Sequence, residues 1–261
     1  RFETTNPSIN MDESFVQEFT SKFENDGYLL MKGNIPIDII ENGRDESLNA
    51  WKSLLLQVKK RSGKELGLSQ KGGYREIVQR HTGRYEFRYG QRMYELEDAV
   101  KNSLAFQVAR TILGNDFAII GKSCIVADVD CQEQSWHIDG AHISTSKHES
   151  CHCLNIFTPL VHLEAGGGTE FRPGSHYLTR DLKRQFLLAK IHKTLRPPLV
   201  PTLQLGDSIL FDYRILHRGT KNSTGAPRPV FVITLAKPWF KDILNFPSRS
   251  IFESPPNEDD E

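Results

Sequence analysis

Residues 206–219 read GDSILFDYRILHRG: a glycine-aspartate pair, a run of apolar residues, then a histidine. Gly206-Asp207 supplies turn chemistry, and Ile209, Leu210 and Phe211 suit a pleated, buried surface. The stretch predicts a turn and then a strand, with His217 at the strand's far end. Neighbouring stretches repeat the texture. FAIIGKSCIVADV (117–129), HCLNIFTPLVHL (152–163) and PVFVITLA (229–236) are rich in Ile, Val, Phe and Thr, while GGG, RPGS and NSTGAP punctuate them. Short strands separated by turn residues predict a sandwich or barrel.

Upstream of residue 116 the period changes. In MDESFVQEFTSKFENDGYLL, Phe15, Val16, Phe19 and Phe23 fall at helical spacing, Asp12 offers an N-cap and Gly27 lies past the end. A second helix is expected within 37–60 and a third over 95–113, stopped by Gly114. A short helix over 177–191 interrupts the strands, ended by Pro197-Pro198. The chain thus reads as one mainly β domain with flanking helices: 1–115 a mainly helical scaffold and substrate cover, 116–240 the double-stranded β-helix core, 254–261 a solvated acidic tail.

Composition narrows the function classes. Lys plus Arg equals Asp plus Glu at 33 each, so no overall field draws in nucleic acid or an anionic membrane. No run approaches the roughly 18 apolar residues of a membrane span, and RFETTNPSIN lacks a signal pattern. Cys124, Cys131, Cys151 and Cys153 are too few and too local for a disulfide scaffold, and Cys151-His152-Cys153 lacks the usual zinc spacing. Buried free thiols and an intracellular, cytoplasmic setting are expected, with the chain a monomer or weak oligomer.

The chemistry centres on SWHIDGAH (135–142). Side chains two apart on a strand share a face, so His137 and Asp139 can grip one ion, although chance alone can produce such a pair. A non-haem iron(II) site takes two histidines and one carboxylate, and His217 is placed to be the third ligand. Eleven residues beyond it, Arg228 opens a strand on which Arg228, Val230, Val232 and Thr234 share one face. A buried arginine there needs an anion, and a dicarboxylate could reach from it to the metal. The rival pair His162-x-Glu164 abuts Gly166 and reads as the polar end of a strand. His142, His148, His152 and His192 read as surface or satisfied strand histidines.

HID, then GGGTEFRPGSH, then GDSILFDYRILHRG, then an arginine eleven residues on, resembles the phytanoyl-CoA dioxygenase family of iron(II)- and 2-oxoglutarate-dependent oxygenases. The resemblance implies a double-stranded β-helix, the jelly-roll or cupin-like form. It implies His137, Asp139 and His217 as iron ligands and Arg228 as the clamp on the distal carboxylate of 2-oxoglutarate, with Asn155, Thr169 and Ser175 as candidates for a co-substrate hydrogen bond. The implied reaction consumes O2 and releases succinate and CO2, with ascorbate as reductant in vitro. An aspartate at 139, where related halogenases carry a small residue, argues for oxygen chemistry.

The substrate is expected to be a small metabolite, carboxylated or phosphorylated, and the role one in small-molecule metabolism or biosynthesis. That expectation rests on GGYREIVQRHTGRYEFRYGQR (72–92), where arginines alternate with tyrosines. Arg75, Arg84 and Arg88, with His81 and Trp136, are the candidates for holding it at the barrel mouth. A solvated, salt-bridged surface is the plainer reading of the same residues. Hydroxylation is the commonest outcome of such chemistry, with desaturation and ring closure on the same site. The alternatives are a cupin-like metal enzyme that does not use 2-oxoglutarate and a ligand-binding barrel without turnover.

Overall fold

The computed structural model describes residues 13–90, 93–163, 167–242 and 246–253. Asp12, Glu164, Gly166, the tail at 254–261 and the side chains of Phe15 and Val16 lie outside the described residues. The elements run α1 (Glu13–Asp26), β1 (Tyr28–Met31), α2 (Ile37–Ser62), α3 (Ser69–Gly72), β2 (Ile77–His81), β3 (Arg84–Arg88), α4 (Tyr94–Lys101), α5 (Leu104–Leu113), β4 (Ala118–Ala127), β5 (Cys153–Pro159), β6 (Thr169–Phe171), α6 (Leu182–Ile191), β7 (Ser208–Asp212), β8 (His217–Gly219) and β9 (Arg228–Ala236).

Seven antiparallel strands form a large sheet in the order β1-β7-β5-β9-β4-β3-β2. A small sheet pairs β6 with β8 and is widened by the bridges His137–His217, Phe171–Leu199 and Leu163–Leu203. Two opposed antiparallel sheets give the jelly roll that the family resemblance implies, within the sandwich-or-barrel class that the strand texture predicts. Alternation explains why its central strands read as continuous apolar runs. Phe231, Ile233 and Leu235 of β9, with Leu154 and Ile156 of β5, pack in one cluster with Trp51, Leu54, Leu96, Phe106 and Val108 of the helices. Val232 of β9, with Phe157, Ile209 and Phe211, faces the other way onto Phe171 and Leu163 between the sheets. Burying each such side chain contributes about 1.5–3 kcal/mol, so both faces of the large sheet hold the fold.

Three sequence expectations change. The single helix over 95–113 is two helices, because Ser103 is extended and its hydroxyl accepts the Phe106 N–H at 3.3 Å, capping a fresh start. The segment before residue 116 is not simply a helical scaffold, since it supplies β1, β2 and β3 of the large sheet. Its arginine-rich run is the β2–β3 hairpin, and the Arg-Tyr-Glu-Phe-Arg alternation from 84 to 88 is a strand period. His217 does not end the strand that begins at 208. β7 stops at Asp212, and the chain crosses to the small sheet before His217 opens β8. All four cysteines are free and buried.

Candidate metal centre

The crossing between β7 and β8 is built to deliver His217. The Asp212 carboxylate accepts Nε and Nη2 of Arg214 at 2.8 and 2.6 Å and the Arg214 backbone N–H at 2.9 Å, while Arg214 Nη1 donates to the Glu149 carbonyl at 2.8 Å. Both side chains are about 1% exposed. Burial alone would raise the Asp212 carboxyl, but the guanidinium outweighs it and holds it below the usual carboxylate range. Two residues on, the Ser175 hydroxyl accepts the Leu216 N–H at 2.8 Å. Ser175 therefore braces the chain before His217 instead of lining the cavity, as its candidacy for co-substrate contact required.

The other two candidate ligands hang from the same turn. His137 and His217 exchange backbone hydrogen bonds at 3.0 Å each way, and the Tyr213 carbonyl accepts the N–H groups of Asp139 and Gly140 at 2.9 and 3.1 Å. Gly140 is required there, because a Cβ would stand 2.5 Å from Cδ1 of Tyr213.

Side-chain hydrogen bonds then aim the donors. Nδ1 of His137 meets the Ser135 carbonyl at 2.9 Å and Nδ1 of His217 meets the Ile215 carbonyl at 3.1 Å. A carbonyl only accepts, so each Nδ1 carries the proton and each Nε2 keeps a lone pair. Asp139 Oδ1 lies 3.9 Å from Nε2 of His137 and 3.5 Å from Nε2 of His217, and all three donor atoms fall within 4.8 Å of one another. Burial lowers the His217 pKa, which favours the neutral, ligating form. Two neutral imidazoles and one carboxylate make a donor set that fits iron(II).

Asn155, a candidate for a co-substrate hydrogen bond, lines the cavity, but its amide has a partner in this set. Its Nδ2 donates to Asp139 Oδ2 at 2.8 Å, and its Oδ1 accepts from Thr234 Oγ1 at 2.7 Å. The relay turns Oδ1 of Asp139 toward the histidines. An Asn155→Ala variant is expected to bind manganese(II) about 10–100-fold more weakly in a calorimetric titration, since groups that orient metal ligands typically contribute that much.

The donors open into a cavity of about 520 Å³, the size of a small-molecule site. Thr169, His81, Arg84 and Arg228 line it, together with Tyr213, Glu86 and Asp242, which the sequence did not single out. Tyr213 donates its hydroxyl to Asp242 at 2.7 Å. Three expected substrate contacts are absent from the lining. Arg75 pairs with Glu76 and Glu253, Arg88 lies over the Phe246 ring at 4.6 Å, and Trp136 sits between Arg172 and Arg218. Each has a local partner instead, Trp136 being covered by the Arg172 and Arg218 guanidiniums. Arg84 does reach the cavity, but beside Arg228 and not at a mouth shared with Arg75 and Arg88.

Behind the crossing turn, burial and then the Arg214 charge push His142 and His148 from their ordinary 6.5 down to about 4. The folded protein keeps both neutral where the unfolded chain already takes up protons. Their contribution to stability is therefore complete above about pH 6.5 and is lost as pH falls toward about 4. The melting temperature should drop over that window, and less so in a His142→Gln/His148→Gln variant.

Comparison with known proteins agrees with this geometry. The family profile described as phytanoyl-CoA dioxygenase (PhyH) matches residues 78–230, a span that holds His137, Asp139, His217 and Arg228. The chain belongs to the phytanoyl-CoA dioxygenase family. As a member of that family it is a 2-oxoglutarate-dependent non-haem iron enzyme. Solved structures share the fold. SnoK, a non-haem α-ketoglutarate-dependent carbocyclase from nogalamycin biosynthesis, superposes with a TM-score of 0.60 at 16% identity, over 87% of this chain and 85% of its own. HygX from Streptomyces hygroscopicus, solved with nickel, 2-oxoglutarate and hygromycin B, gives 0.60 at 11% identity over 90% and 96% of the two chains. EctD from S. alaskensis with bound Fe gives 0.58 at 20% identity over 90% and 80%.

Proposed function

We propose that this phytanoyl-CoA dioxygenase family member oxidises a C–H bond of a small metabolite, hydroxylation being the leading outcome, while 2-oxoglutarate is converted to succinate and CO2. His137, Asp139 and His217 would hold iron(II), and Arg228 would hold the distal carboxylate of 2-oxoglutarate. When bound, the metal supplies the oxygen activation that no side chain can perform. The chain's own work is alignment and exclusion. The backbone bridge between His137 and His217 and the Asn155 relay hold the donors in place before any ligand arrives, and the apolar wall of Phe157, Val230 and Val232 keeps water from the reacting carbon.

One observation carries the reading: a histidine pair with both Nε2 lone pairs facing one carboxylate, in a cavity that also buries the cation of Arg228. A ligand-binding barrel has no use for that combination, and a metal enzyme without 2-oxoglutarate has no use for the arginine. With Arg75 and Arg88 outside the cavity, an anionic group on the substrate is no longer needed by the reading. SnoK and HygX are linked by their descriptions to nogalamycin biosynthesis and to hygromycin B, which favours small-molecule tailoring as the role here.

The test is succinate formation from 2-oxoglutarate under O2, with iron(II) and ascorbate, across a panel of small metabolites. Stimulation by one compound identifies the substrate class, and mass spectrometry of its product separates hydroxylation from desaturation and ring closure. A protein that binds neither iron(II) nor 2-oxoglutarate would overturn the reading in favour of the non-catalytic barrel.

A further inference from the structure

The charges of the cavity are not spread evenly along it. Arg228 opens β9 and Arg84 reaches it from β3, both donating to the Thr220 carbonyl at 2.9 and 2.8 Å. That end takes the co-substrate in the functional reading above. The other end of β9 is Ala236, which pairs with Cys153 and packs with Cys153 and Tyr213. At about 3.3 Å per residue the two ends lie roughly 25 Å apart. The metal donors lie toward the second end, since Thr234 holds Asn155 and Asn155 holds Asp139.

Besides Asp139, the acidic residues that line the cavity among the described residues are Glu86 and Asp242. Glu86 is occupied: Oε2 accepts Arg80 Nε at 2.6 Å and Oε1 accepts the Ser123 hydroxyl at 2.7 Å. Arg80 and Glu86 cancel, so together they give the wall no net charge. Asp242 is different, because its Oδ2 accepts the hydroxyl of Tyr213 at 2.7 Å, and a phenol that donates a hydrogen bond leaves the carboxylate its charge. Tyr213 also ties Asp242 to the metal centre. Its carbonyl accepts the Asp139 N–H at 2.9 Å, and its ring lies against Gly140. A head group held on Asp242 is therefore a fixed step from the metal donors, with Ile125, Ile138 and Phe157 as apolar wall in the same cavity.

We propose that Asp242, set in place by Tyr213, selects the substrate: a molecule whose head group donates hydrogen, a protonated amine or a hydroxyl, while its apolar body reaches the metal donors. The proposal rests on the functional reading above and names the substrate class. A carboxylate accepts and never donates, so the group it recognises must be a donor. A carboxylated or phosphorylated head, as the arginine-rich run led the sequence to suggest, would bring its own negative charge against that of Asp242.

The experiment loads the full chain, without oxygen, with manganese(II) and N-oxalylglycine, a non-reacting analogue of 2-oxoglutarate. Hexylamine, hexanol and hexanoate then serve as probes that share one skeleton and differ in the head group. Paramagnetic broadening of their protons by the bound manganese(II) reports entry to the cavity, and weak binding suffices for it. In the wild type hexylamine should broaden most, hexanol less and hexanoate not at all. Asp242→Asn keeps an acceptor for the Tyr213 hydroxyl and loses only the charge. It should weaken hexylamine about 10–100-fold, the size of a lost hydrogen bond to a charged group, while hexanoate gains and the affinities for manganese(II) and N-oxalylglycine hold. An Asp242 that merely anchors the chain would cost all three probes alike, and that outcome would overturn the proposal. So would a wild type that admits hexanoate as readily as hexylamine, or one that admits neither hexylamine nor hexanol, results that need no variant to fold. A wild type that binds manganese(II) but not N-oxalylglycine would instead sink the 2-oxoglutarate reading itself.

Discussion

An Asp139→Ala protein should bind no iron(II) at micromolar concentrations and release succinate at the background rate, while folding normally. Asp139 supplies the only carboxylate among the three donor atoms, and two neutral imidazoles alone leave a divalent cation without charge balance. The carboxylate is 25% exposed and its backbone N–H stays on the Tyr213 carbonyl, so little packing goes with it. The one structural loss is the acceptor for Nδ2 of Asn155, which the cavity can hydrate. Metal titration, melting temperature and succinate assay on the same preparation separate the outcomes. Wild-type turnover in the variant would show that the metal is held elsewhere.

Asp212→Ala should be the most destabilising single change near the centre, costing about 3–5 kcal/mol, because it strands the Arg214 cation in the protein interior. For a chain of this size that lowers the melting temperature by roughly 10 °C. Replacing both members, Asp212→Ala with Arg214→Met, should recover much of the loss, since no bare charge then remains. Denaturant titration of the three variants closes the cycle. If Asp212→Ala unfolds within about 1 kcal/mol of the wild type, the pair is not what fixes the β7–β8 crossing. Iron affinity should fall in the single variant as well, as His217 loses its fixed lead-in.

The candidate ligands were legible because each carries a local signature: His-x-Asp after a strand, His217 after a turn-strand-turn unit, Arg228 at the head of an alternating row. Asn155 was a candidate only through the family resemblance, and that its amide spends itself on Asp139 depends on which strands become neighbours. Arg84 and Arg88 look alike in the sequence, both on the same face of β3. The cross-strand register sets Arg84 beside Ala127 and Arg228, whereas Arg88 lies beyond the cavity against Phe246. No local pattern distinguishes them. The break at Ser103 had a readable cap that the apolar period on either side overrode. Asp242 reaches the cavity through a tertiary contact with Tyr213, and nothing around it in the sequence signals that.

The strand order β1-β7-β5-β9-β4-β3-β2 carries one further consequence. The strands that follow residue 116 occupy the middle of the large sheet, and the earlier ones close its flanks: β1 covers β7 on one side, and β3 with β2 covers β4 on the other. A chain cut back to the β core would therefore present two bare rows of backbone donors and acceptors at once, each a template for another copy. β1 and the β2–β3 hairpin thus cover both edges of the later strands, and the same hairpin that covers β4 brings Arg84 to the cavity. A change that loosens that hairpin would uncover a sheet edge and open a cavity wall at once.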